Sequence, residues 1–562
     1  MRAHVLQRRA GRRAGLAAAA AVSLAGALVM PLASAGADTA PPAGTPATVT
    51  ADALPTWQVN GVVWSMATVG NTVYATGNFT KARPPGTKIG DAKEVARKNL
   101  LAFNLTTGNL ITSFDHTLDG QGLRVVASPD GKRVYVGGEF TTVDGKPRSR
   151  LAAFDTATGA LVPNFAPKVS NKIRGIAATN STVYFGGNFF NVNGKSRTRL
   201  AAVKAADGTN VDTWKPTAND DEVYALAIAP GGTRVIIGGK FQQLNATPKV
   251  GVGAVDATTG ALAPWSSRPI PTRISKEAGS YVTDLTVSGD VVYGAANGDG
   301  GHWFDGRFAA KAATGDLVWL DNCYGATYGV YVKDKALYSV SHAHDCSSVG
   351  TFPETYPKQT WHRALAETTY ATGTDQAPPG SNSNYSRQPI PTQLHWYPSL
   401  TPAAAKLVDA TPGTVVVTGA AQAAWTVTGN GGYIAMGGEF PKVNGKAQQG
   451  LVRFAVKGTT AAKRQPEAIA APTAARQFMS RKIKVSWKAT WDMDNASLTY
   501  EVLRDAGTTP IGKVTQKSSF WNLPSLSFTD TTPPAGAHAY RIRVKDADGN
   551  VVTSPVSNAV RP

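Results

Sequence analysis

Val134-Tyr135-Val136-Gly137-Gly138-Glu139-Phe140 decides the fold, because it returns along the chain. It recurs as Val183-Tyr184-Phe185-Gly186-Gly187-Asn188-Phe189, as Val235-Ile236-Ile237-Gly238-Gly239-Lys240-Phe241 and as Ile434-Ala435-Met436-Gly437-Gly438-Glu439-Phe440. A looser first copy is Val73-Tyr74-Ala75-Thr76-Gly77-Asn78-Phe79. Behind the motif comes an Asn-Gly or Asp-Gly turn (Asp144-Gly145, Asn193-Gly194, Asn444-Gly445), then an apolar strand such as Leu151-Ala152-Ala153-Phe154. A Thr-Gly or Asp-Gly turn follows that strand at Thr158-Gly159, Asp207-Gly208, Thr259-Gly260 and Thr314-Gly315. Glycine supplies the positive φ that two-residue hairpins need, so each unit reads as an antiparallel sheet. The Gly-Gly pair lets neighbouring backbones approach while the Phe fills the gap between sheets. Copies recur at 49 residues (Gly138 to Gly187) and 52 residues (Gly187 to Gly239), a spacing that suits four-stranded propeller blades.

An outer strand ends in an aromatic at Trp57, Phe114, Phe165, Trp214, Trp265, Trp319 and Trp396, which counts seven blades. Copies five and six are degenerate, so six or eight blades are the alternatives. The last Gly-Gly copy lacks such a strand after it, whereas Trp57 precedes the first copy. The N-terminal strand around 54–57 is therefore expected to complete the last blade and remove two exposed sheet edges. The fold class expected is all-β: a seven-bladed β-propeller over 50–457, a linker over 458–475, and a β-sandwich over 476–562.

The Gly-Gly-x-Phe, Asn/Asp-Gly-Lys and Thr-Gly-x-Leu pattern resembles the bacterial delta-sixty-type β-propeller repeats, found in exported proteins of actinobacteria beside fibronectin type III or similar modules. The resemblance covers about 50–457. It implies a propeller in an extracellular setting and no established activity, since propellers host enzymes, lectins and scaffolds alike.

Beyond the linker, Lys482-Ile483-Lys484-Val485-Ser486-Trp487 alternates as a half-buried strand, followed by 498–504 and 538–544. Trp487 and Tyr540 resemble the core Trp and tyrosine corner of fibronectin type III domains. Asp492, Asp494 and Asn495 read as a polar loop between strands rather than a calcium site, since the Gly and terminal Glu of a calcium loop are missing.

Residues 1–37 stand apart. Arg2, Arg8, Arg9, Arg12 and Arg13 precede an apolar run from Leu16 to Leu32, and Ala33-Ser34-Ala35 and Ala35-Gly36-Ala37 are cleavage candidates. This reads as a secretory signal peptide, with no membrane span after its removal. The remaining chain carries 52 basic and 38 acidic residues, net +14, which favours anionic partners. The basic residues are scattered, which argues against nucleic acid. Cys323 and Cys346 are the only cysteines, and in an exported chain a disulfide is expected.

Five of the eight His lie between 302 and 395. His302-Trp303-Phe304-Asp305 falls where a Gly-Gly-x-Phe copy belongs. His342 and His344, with Asp345 next to them, are two apart on a strand and so face one side. The insertion 347–393 carries Trp361, His362 and Arg363, a combination suited to stacking on sugar faces and hydrogen bonding to hydroxyls. These nine residues are the ligand-binding candidates. Lys146, Arg148, Lys195 and Arg197 recur with the turn and read as solvated. No cofactor or metal is assigned, and no catalytic motif is present. The expectation is a secreted monomer that binds a glycan or anionic cell-wall polymer, the sandwich acting as spacer. The alternatives are a carbohydrate-active hydrolase or lyase with its site in blades five and six, and a structural surface module.

Overall fold

A computed structural model describes residues 41, 43–266, 279–298, 304–375, 387–403, 418, 420, 422–459 and 463–562. Residues 1–37, read above as a signal peptide, and His302 and Trp303 lie outside these residues. Among the described residues no helix is long and apolar enough to cross a membrane.

The chain is nearly all β. Each Gly-Gly strand sits in the middle of an antiparallel sheet. Its neighbours are an inner strand before it and a third strand after it, as in Gly122–Ala127, Arg133–Gly138 and Leu151–Asp155. Among the described residues, seven sheets have this arrangement. Their inner strands are Val62–Val69, Gly122–Ala127, Ile173–Ala178, Val223–Ile228, Ser280–Ser288, Thr327–Lys333 and Ala424–Gly429. Each inner strand packs beside the next, and the seventh packs beside the first. The first and seventh are joined by Met66 N–H donating to Thr426 Oγ1 (3.2 Å) and by the Thr68–Thr428 hydroxyl pair (2.9 Å).

The repeat's glycines are required by contact. A Cβ on Gly138 would lie 2.3 Å from the carbonyl oxygen of Gln121, and one on Gly137 would lie 2.7 Å from the Ile173 side chain of the next sheet. The motif Phe residues (Phe79, Phe140, Phe189, Phe241 and Phe440) are fully buried. Tyr74 packs edge-on against Phe114 (5.1 Å), Tyr184 against Trp214 (5.0 Å) and Tyr338 against Trp396 (5.2 Å). Each such pair adds about 0.5–1.5 kcal/mol beyond its buried area.

Three expectations change. In the fifth sheet the Gly-Gly positions are taken by Ala295-Ala296, paired to Asp284 and Val282, and not by 302–303. In the sixth they are Val340-Ser341. His362–Thr368, read as irregular insertion, is the third strand of that sheet; polar ends on a short Ala-Leu-Ala run hid it. Arg148 and Arg197 are buried rather than solvated. Arg148 donates to the Val162 and Pro163 carbonyls (3.2 and 3.0 Å), and Arg197 pairs with Asp212 (2.8 Å).

Residues 48–57 run antiparallel to the last strand of the seventh sheet. Leu54 N–H donates to the Arg453 carbonyl and Thr50 N–H to the Ala455 carbonyl, both at 2.9 Å.

The C-terminal part forms a three-stranded and a four-stranded sheet around Ile483, Val485, Trp487, Tyr500, Tyr540 and Ile542. Its first strand begins at Thr473, inside the expected linker. One end of it packs on the propeller-like part. Phe520 stacks on His362 (4.3 Å), Trp521 meets Phe352 (5.9 Å) and Asp494 Oδ2 accepts from Ala51 N–H (2.5 Å). Residues 35–562 form one compact unit. Cys323 and Cys346 form a disulfide.

Candidate functional site

All seven inner strands carry a β-bulge at the same place. Pairing skips one residue between Val63 and Ser65, Gly122 and Arg124, Ile173 and Gly175, Val223 and Ala225, Val282 and Asp284, Thr327 and Gly329, and Ala424 and Thr426. A bulge leaves its extra residue out of the ladder and re-aims its side chain. The residues so displaced are Trp64, Leu123, Arg174, Tyr224, Thr283, Tyr328 and Trp425. All seven line one half-open cavity of about 310 Å3, with Arg124, Tyr281, Asp284 and Asn297.

Aromatic side chains form an arc around this mouth. Tyr224 and Tyr281 have ring centroids 5.6 Å apart, Tyr328 and Trp425 4.4 Å, and Trp425 and Trp64 5.0 Å. Arg174 lies over Tyr224 (5.0 Å) and Lys240 over Tyr281 (4.3 Å), which puts cations on π faces beside the opening. Arg124 of the second sheet reaches Asp284 of the fifth at 2.7 Å, and Asp284 also accepts from Val330 N–H (3.1 Å). Glu222 is held by Lys172 and Arg174, both at 3.2 Å. The carboxylates Asp284 and Glu222 are therefore engaged by cations.

A second layer supports the arc, and it comes from the variable position of Gly-Gly-x. Glu439 accepts from Trp425 Nε1 (3.2 Å), Asn297 donates to Tyr281 Oη (2.8 Å), and Gln121 links Trp64 Nε1 (2.9 Å) to Glu139 (2.8 Å). In the sixth sheet that position is His342. Its Nε2 accepts from Ala326 N–H (3.1 Å), so in the neutral ring Nδ1 carries the proton and faces Tyr328 Oη (2.9 Å) and Gln422 Oε1 (3.1 Å).

The other sequence candidates divide by location. Asp305 accepts from Gly298 and Gly325 N–H (3.0 and 3.1 Å), which shapes the turns behind the mouth. His344 bonds Glu354 (2.6 Å) and stacks on Tyr324, apart from the ligands of His342. Asp345 caps Ser347 N–H (2.9 Å). Arg363 is buried, donates to Gln422, and lies 4.9 Å from the Trp361 ring centroid. Burial pushes it down to about 10. His362 is sandwiched between Phe352 and Phe520, at the seam with the C-terminal sheets. Among the described residues, no three His, Cys, Asp or Glu side chains assemble as a metal site.

Among the candidates that the structure describes, His342 is the one placed on an aromatic of the mouth, its Nδ1 2.9 Å from Tyr328 Oη. Sequence reading missed the bulge residues because it searched the repeat for what stays constant. The signal was present: Trp64, Leu123, Arg174, Tyr224 and Trp425 each stand 12 to 14 residues before the first Gly of their pair.

Burial lowers both His342 and His362 to about 4, with Arg363 adding repulsion. Folded protein thus resists protonating two rings that the unfolded chain protonates near 6.5. What these two rings contribute to stability is expected to be full above about pH 6.5 and to be lost progressively toward pH 4. His362→Phe, which keeps an aromatic in the stack, should flatten that slope in a pH series of thermal midpoints. An unchanged slope would show that His362 is not buried neutral.

Residues 128–161 match the family model described as a domain of unknown function (DUF5122) β-propeller. That stretch holds the middle and third strands of the second sheet, so the chain contains a β-propeller repeat. No curated protein matches the chain. Among solved structures, a chain from "Crystal Structure of Mitotic Checkpoint Complex" aligns at 11% identity with a TM-score of 0.39, covering 74% of this chain and 99% of that one.

Proposed function

We propose that this is a secreted binding protein in which a seven-bladed propeller receives the end of a glycan or surface polymer at its mouth, and in which the C-terminal sheets are a fibronectin type III-like domain. The carrying observation is the ring of seven bulges delivering Trp64, Tyr224, Tyr328 and Trp425, with Arg174, to one cavity. Aromatic faces stack on the apolar faces of sugar rings, while Arg, Asn and backbone groups bond hydroxyls or carboxylates. The Arg124–Asp284 bridge ties opposite sides of the mouth, which suits a chain end better than a threaded polymer. Engagement of Asp284 and Glu222 by arginines favours binding over hydrolysis, which needs a carboxyl free to donate a proton. The Gly-Gly repeat, the leader-like first 37 residues and the disulfide support the propeller and extracellular readings.

Binding of the mature protein to a glycan and cell-wall array tests this. Trp425→Ala and Tyr281→Ala should each weaken retention on the order of 30-fold, the equivalent of about 2 kcal/mol for a central contact. Retention by no glycan, or retention indifferent to both substitutions, would sink the reading. Turnover of the captured polysaccharide would replace it with an enzyme.

A further inference from the structure

The hairpin between Thr473–Arg476 and Ile483–Lys488 ends in Phe478 and Met479, which are 92% and 87% exposed. They are the two most exposed large hydrophobic side chains among the described residues, and nothing in the hairpin covers them. The tip is an ordered turn: Gln477 N–H donates to the Lys482 carbonyl (2.9 Å), Ser480 N–H to the Gln477 carbonyl (3.2 Å), and Arg476 Nε to the Ser480 carbonyl (2.8 Å). Met479 adopts φ 52°, a left-handed conformation that a long side chain takes up at a strain cost. Two adjacent apolar side chains are thus held outward by a fixed backbone.

Charge surrounds them on one side only. Residues 473–488 contain Arg476, Arg481, Lys482, Lys484 and Lys488 and no acid. Arg476, Arg481, Lys482 and Lys484 are exposed. The strand Ile483–Lys488 leads from this tip to the opposite end, where Asp492, Asp494, Trp491 and Phe520 meet the propeller-like part. The two ends differ: Trp491 and Phe520 are packed at the docked end, whereas at the far end Phe478 and Met479 are bare beside the hairpin's cations, and the acids there, Asp530 and Asp505, are paired with Arg504 and His538.

We propose that this hairpin is an insertion loop for an anionic lipid surface. Phe478 and Met479 would enter the boundary of the acyl chains, while the arginines and lysines sit among acidic headgroups. A soluble anionic polymer would use the cations but leave both apolar side chains in water. A groove in a protein partner would not call for the flanking cations, so the paired features favour the bilayer. The proposal is independent of what the mouth binds.

Flotation with vesicles tests it, using the mature chain and vesicles of phosphatidylcholine alone or with phosphatidylglycerol. The expected result is binding only with phosphatidylglycerol, lowered at least 10-fold in Phe478→Ser/Met479→Ser and at least 10-fold in Arg481→Glu/Lys482→Glu. Both variants should melt as the parent does, since neither pair is buried. The parent failing to float with anionic vesicles would overturn the proposal. So would equal binding by the Phe478→Ser/Met479→Ser variant, which would leave a charge-only surface for soluble polyanions.

Discussion

Arg307→Ala should cost about 3–5 kcal/mol of stability, the range for removing one partner of a buried ion pair. Arg307 is completely buried, and its guanidinium is shared between Asp321, also fully buried, and Glu367 Oε1 at 3.0 Å. Asp321 additionally accepts from Cys323 N–H (2.9 Å), which ties the cluster to the disulfide. Burial raises the Glu367 carboxyl well above the usual carboxylate range, and the neighbouring Asp321 raises it further while Arg307 opposes both. Without the arginine two carboxylates remain in a dry site. A raised acid binds its proton more tightly in the folded state, so this defect is present at neutral pH and shrinks as pH falls toward the ordinary value of about 4.3. Urea denaturation at pH 7 and pH 5 reads both effects. A loss below about 1 kcal/mol would place the cluster in water, where ion pairs contribute that little. Replacing all three residues together with apolar ones should be far milder than the single change.

Deleting residues up to Trp57 should abolish cooperative unfolding of the ring of sheets. The deleted segment contains Val49, Thr50, Ala51 and Thr56, each fully buried. Its backbone serves four separate parts of the fold. Val49 N–H donates to Tyr338 Oη (2.9 Å), Asn444 Nδ2 to the Ala51 carbonyl (2.7 Å), Arg453 Nη2 to the Pro55 carbonyl (2.7 Å), and Ala51 N–H to Asp494. Each orphaned buried partner costs about 1–3 kcal/mol. The sum approaches the whole stability of a typical domain, about 5–15 kcal/mol. Circular dichroism of the truncated chain should show no sharp melt, and a peptide covering 45–58 added in trans should restore one. A truncated chain that melts sharply at the parent temperature would mean that the segment is only an appendage.

The sheets were legible because their constraints are local. Gly138 and Phe140 announce a close approach and a filled gap in residue types that admit few substitutes. The pairing of Cys323 with Cys346 followed from chemistry and count. The mouth was less legible, because Trp64, Leu123, Arg174, Tyr224 and Trp425 share a position but not a residue type, and the bulge is what gives the position its meaning. His342 was singled out for its neighbour His344, yet its partners are Tyr328 and Gln422, far away in sequence. His362 shows the opposite failure. A histidine beside Trp and Arg reads as a ligand contact, and only the fold reveals Phe520 stacked against it.

The seven bulges have a consequence for how such a protein changes over generations. The residues that hold sheet to sheet, and the residues that face the opening, are different members of the same repeat. A mutation at Trp64, Arg174 or Tyr224 alters the lining of the opening without touching the Gly-Gly contacts or the buried Phe. Tolerance and novelty are thereby separated along the chain. The seven bulge positions can therefore change the lining of the opening, while the glycine and phenylalanine positions that keep the sheets together stay as they are.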